Sequence, residues 1–191
     1  MSGYTLTQPE LYYSYDQAAT TTTPSTSAVS ITGTYPAIEI YGGWFSALGT
    51  RATSLKLKMG GLLTATATVP TWIFTLFLGT TNAFATTTTL AATATLTPTA
   101  ASTNVWWHMD ADIALRALAL GSGSTISAHG LITSSAFPSP FFVSIPATGA
   151  YSPLASYAAD ANAYLWPALT LGTATAGNTV TTEYLKLYGE N

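Results

Sequence analysis

Between Val105 and Leu118 every odd position is apolar, and all the charged or histidine side chains fall on even positions. Val105, Trp107, Met109, Ala111, Ile113, Leu115 and Ala117 are apolar, and His108, Asp110, Asp112 and Arg116 fall between them. Side chains on a strand point alternately to opposite faces, so this pattern predicts a long β-strand with one dry and one wet face. Trp72-Ile73-Phe74-Thr75-Leu76-Phe77-Leu78 is instead nearly all apolar. That composition suits a strand covered on both sides, in a sandwich centre or at a contact between subunits.

Short strand signals recur from Ala28 onward, punctuated by Gly and Pro. Val29–Thr32, Ala37–Tyr41 and Leu55–Met59 come first, and Gly60-Gly61 is expected to break the last of these before Leu62–Val69. Phe84–Leu96 is a Thr/Ala strand region. Gly121-Ser122-Gly123-Ser124 has hairpin length and leads into a partner strand over Thr125–Thr133. The four prolines between Phe137 and Pro153 keep that stretch from being a central strand throughout. Ala161–Leu171 and Asn178–Leu187 are expected to close the fold as a pair, and only Leu154–Tyr164 has a weak helical pattern. About eight antiparallel strands without βαβ alternation predict an all-β, jelly-roll-like β-sandwich.

The first 27 residues read differently. Tyr4, Tyr12, Tyr13 and Tyr15 precede a low-complexity linker over residues 18–27. This predicts an extended N-terminal arm (1–27) ahead of a sandwich domain (28–191). The tyrosines supply sticky contact area, docking either on a neighbouring subunit or back on the chain's own domain. With Trp72 and Phe74, they are the candidate assembly contacts. Deleting residues 1–27 is then expected to weaken assembly and leave the sandwich folded.

Composition sharpens the picture. Only 7% of residues are charged, against a usual quarter or so, and Thr fills 36 of the 191 positions. A neutral, hydroxyl-clad sheet can be covered by a neighbour at less desolvation cost than a charged one. The five cations (Arg51, Lys56, Lys58, Arg116 and Lys186) form no cluster, so nucleic-acid binding is not expected. No apolar run reaches the roughly 20 residues of a membrane helix. The N-terminus lacks the pattern of a secretory signal, so synthesis in a cytoplasm is expected. Cysteine is absent, which removes disulfides and thiolate chemistry together.

Candidate chemistry is sparse. His108, Asp110 and Asp112 share one face, but the remaining acids have no metal-ligand spacing, so a solvated face is the reading. His129 falls on the partner strand, where a cross-strand contact or plain exposure is expected. No G-x-S-x-G elbow or phosphate loop is present. Neither an enzymatic activity nor a cofactor or metal is expected. Trp106, on the wet face beside His108, is the best candidate for a sugar-stacking platform. The Thr-x-Thr triplets at 64–68 and 93–97 are too irregular for an ice-binding surface.

Four ordered segments resemble tailed-phage virion proteins: Leu55-Lys56-Leu57-Lys58-Met59-Gly60-Gly61, Trp72–Gly79, Trp106–Ile113 with Ala128-His129-Gly130-Leu131, and Leu169–Thr181. The resemblance spans about residues 54–188 and implies a jelly-roll subunit of a phage particle. A head decoration (cement) protein of trimeric type, seated on the major capsid protein, is implied first. A tail or fibre component that binds a host receptor or carbohydrate is the alternative. It carries over no catalytic residue and leaves the tyrosine-rich arm outside.

Overall fold

A computed structural model describes residues 10–22, 25–32, 37–42, 54–84, 88–119, 123–153 and 155–190. Among these residues it is all-β, as the alternation predicts: 59% strand, without helix, in two antiparallel sheets packed face to face. In chain order the strands are β1 (Glu10–Thr22), β2 (Val29–Ser30), β3 (Ile38–Ile40), β4 (Ser54–Ala65), β5 (Trp72–Gly79) and β6 (Thr88–Ala92). They continue as β7 (Ser102–Ala117), β8 (Ser124–Ser134), β9 (Phe142–Ile145), β10 (Ala155–Tyr157), β11 (Ala163–Leu171) and β12 (Thr179–Glu190).

The larger sheet runs β1-β12-β4-β7-β8-β10, with β9 also on β8. The smaller runs β2-β11-β5-β6, with β3 also on β11. Followed along the chain, β1, β4, β7 and β12 go to one sheet, and β2, β5, β6 and β11 to the other. Interleaved crossings of this kind make a double-sheet jelly roll. The β8–β10 segment is an addition that widens the larger sheet beyond β7.

The core lies between the sheets, where the dry face of β7 meets β5. Trp107, Met109, Ala111 and Ile113 are buried on β7, and Trp72, Phe74 and Leu76 on β5. The Phe74 ring lies 6.0 Å from that of Trp107 and 6.2 Å from that of Phe137. Trp72 and Phe74 are therefore core residues. Their expected role as assembly contacts is corrected, because no part of either side chain reaches the surface. An unbroken apolar run is satisfied by burial within the chain as well as by a subunit contact, and here the facing sheet supplies the cover.

Other expectations also change. Gly60 and Gly61 do not break β4, which continues to Ala65. A Cβ on Gly61 would stand 2.0 Å from the Thr181 carbonyl oxygen, and one on Gly60 would stand 2.6 Å from that of Trp107. The glycines permit close strand approach at a bulge in β12 between Thr182 and Tyr184. The expected closing pair is divided, since β11 joins the smaller sheet and β12 the larger. Buried Asn178 ties that crossing, accepting from the Thr66 amide at 3.0 Å and donating to the Thr175 carbonyl at 3.1 Å. Ala155–Tyr157, within the weak helical pattern, is strand β10 because the edge of β8 satisfies its backbone groups.

Residues 10–22 pair with β12, Tyr13 opposite Leu187 and Tyr15 opposite Leu185, while Tyr12 falls at an irregularity in the register. This segment is the first strand of the jelly roll, seated on the chain's own sheet. Tyr4 lies outside the described residues.

Candidate functional site

The exposed face of the larger sheet carries the chain's histidine and acid pattern. Antiparallel register sets Lys58 opposite Asp110 and Lys56 opposite Asp112. Lys58 Nζ lies 3.7 Å from Asp110 Oδ2, and Lys56 Nζ lies 3.5 Å from Asp112 Oδ1 and 4.0 Å from Asp110 Oδ1. These are half-exposed pairs, worth about 0–1 kcal/mol each. The acids thus face lysines across the sheet, and no group of three His, Asp or Glu suited to a metal occurs among the described residues.

One step along the sheet, Tyr184 of β12, Gly60 of β4 and His108 of β7 lie side by side. With no side chain at Gly60, the Tyr184 phenol crosses β4 and hydrogen-bonds His108 Nδ1. A Cβ at Gly60 would stand 2.7 Å from the phenol oxygen, so the contact depends on glycine there. The two rings lie 6.1 Å apart at 28°. Burial lowers the His108 pKa below its ordinary value; the Asp110 charge opposes this and the Lys58 charge adds to it. Burial raises the Tyr184 pKa, with Asp110 and Tyr188 acting in the same direction. Both effects favour a neutral imidazole beside a neutral phenol. Tyr184 is the member of this pair that the sequence does not signal, since only strand register reveals what lies two strands from His108.

Beyond His108 the face opens into a shallow depression of about 460 Å3. Trp106, His108, Thr133, Ser134, Ser135 and Phe141 line it. Trp106 is 58% exposed and Phe141 54%, so two large rings stand open to solvent here. The wet-face placement expected for Trp106 is what the structure shows. Ser134 holds both rings' backbones: its Oγ donates to the Trp106 carbonyl at 2.8 Å, and its amide to the Phe141 carbonyl at 3.0 Å.

The loop between Ser134 and Phe142 is anchored by Phe137, which is buried against Phe74, and by the Thr99 amide donating to the Ala136 carbonyl at 2.6 Å. Phe141 sits in the left-handed region with φ of 70°, where a bulky residue is strained. Its amide donates to the Pro138 carbonyl at 2.9 Å. The fold therefore presents this ring outward against its backbone preference. The sequence hides Phe141 inside a proline-rich stretch, and no spacing separates it from buried Phe137.

His129 lies at the far end of the same face, its ring 5.4 Å from that of Tyr151. The Arg116 guanidinium stacks over the Tyr151 ring at 5.1 Å. His108 and His129 thus belong to separate contacts. His108 bonds the Tyr184 phenol, whereas His129 packs against the Tyr151 ring. Searched against known proteins, the chain matches no family model, no curated protein and no solved structure.

Proposed function

We propose that the chain is a non-enzymatic structural subunit of a tailed-phage particle. In this reading it self-associates, as a homotrimer, and decorates the head through contact with the major capsid protein. The observation that carries the reading is the jelly-roll strand order built from so few charges. Double-sheet jelly rolls recur in viral capsids, although one fold hosts many functions. What adds weight here is the resemblance of the four ordered segments to phage virion proteins.

The physical basis is cheap coverage. Wherever lysine and aspartate do not face each other, the described surface is largely Thr, Ser, Ala and single aromatics. Covering apolar area returns about 25 cal/mol per Å2, and a lattice multiplies weak contacts through avidity. The particle, with the cytoplasm as the place of synthesis, is the location this role implies.

The test is to add purified chain to undecorated shells of the particle that encodes it and to sediment them. Saturable binding at a fixed ratio to capsid subunits, with shells that resist higher temperature, is the expected result. Free chain at every ratio would overturn the reading.

A further inference from the structure

The depression beside Trp106 has a chemistry that the structural role does not require. Its two open rings offer apolar faces, and its rim offers the exposed hydroxyls of Thr133 and Ser135. Among the described residues no lysine, arginine, aspartate or glutamate lines it. His108 Nδ1 is taken by Tyr184, which leaves Nε2 as the imidazole nitrogen available to a ligand. Ser134 ties the backbones that carry the two rings, so the strand and the loop that bear them are joined at this point. Its volume falls within the range of roughly 300–1,000 Å3 typical of small-ligand sites.

We propose that this depression binds a neutral sugar ring. A pyranose has an apolar C–H face, which stacks on an aromatic side chain, and a perimeter of hydroxyls, which exchange hydrogen bonds with serine, threonine and imidazole. An anionic ligand would meet no cation here, and a cation no carboxylate. A nucleotide would find the stacking surface but no lysine or arginine for its phosphate. The ligand class that uses both halves of the lining is a neutral glycan. The site therefore goes beyond the structural role and stands or falls independently of it.

A second copy of the chain is the competing occupant, because Phe142 (46% exposed) and Leu131 (42%) extend apolar surface nearby. Two measurements on the same samples separate the alternatives. Saturation-transfer NMR on the full chain uses maltotriose, cellotriose and lactose as neutral probes at millimolar concentration, and light scattering reads the mass. Transfer to the ring C–H protons of at least one probe is expected. Trp106→Ala should weaken that binding roughly tenfold or more, Trp106→Tyr should keep most of it, and neither should change the melting temperature or the mass. The proposal is overturned if no probe receives saturation, or if Trp106→Ala leaves the transfer unaltered. It is also overturned if Trp106→Ala lowers the oligomer mass with no sugar bound to the parent chain, which would assign the patch to a second copy.

Discussion

The outward faces of the two sheets are opposites. On the larger sheet the outward positions of β4, β7 and β8 include Lys56, Lys58, His108, Asp110, Asp112 and Thr133, all partly or fully exposed. On the smaller sheet Thr75, Trp166 and Ala168 are buried, and Phe84 packs edge-on against Phe77 at 5.5 Å and Trp166 at 5.8 Å. One sheet has a dry side and a charged, wet side; the other buries Thr75, Trp166 and Ala168 on its outward side and leaves Ile73, Phe77, Tyr164 and Thr170 there only partly covered. The chain thus concentrates its described lysine–aspartate pairs on one surface and covers part of the opposite surface from within.

If that contrast is right, the largest loss comes from the covered face. Trp166→Ala should cost about 3–5 kcal/mol in denaturant unfolding, because it empties the contact that Phe77 and Phe84 make. A loss below about 1 kcal/mol would mean that the face is open. Gly60→Ala comes next, at about 1–3 kcal/mol, since the new methyl meets the Trp107 carbonyl and the Tyr184 ring. By displacing the phenol it should also let the His108 pKa rise toward its ordinary value, which an NMR titration of the ring would show.

Charge on the wet face should matter least. Lys58→Ala should cost under about 1 kcal/mol, and less again in high salt. The pH effect follows from His108, whose pKa is lower in the folded chain than in the unfolded one. The unfolded chain binds the proton first, so stability falls as pH drops through the ordinary histidine range toward the lowered folded value. Thermal melts of His108→Gln should lose part of that slope. A slope unaltered by the substitution would place the acid sensitivity elsewhere.

The contrast also explains what the sequence disclosed. The larger sheet's central strand is legible because water and core impose different demands on alternate residues, and Val105–Leu118 states them in order. The smaller sheet's β5 and β11 lack that signal, so Trp72 and Phe74 were equally consistent with a core or a subunit contact. Gly60-Gly61 resembles a turn until strand register shows the phenol passing over it. The pairing of Glu10–Thr22 with β12 is likewise invisible locally, because its partner lies at the other end of the chain. Trp106 was readable from alternation alone, whereas Phe141 and Tyr184 required the fold.

The central proposal is that this charge-poor jelly roll is covered by copies of itself, and the most direct test is its mass in solution. Sedimentation velocity across a wide concentration range should show the 19.9 kDa chain giving way to a discrete species of three times that mass. A single monomeric boundary at the highest concentration would contradict it.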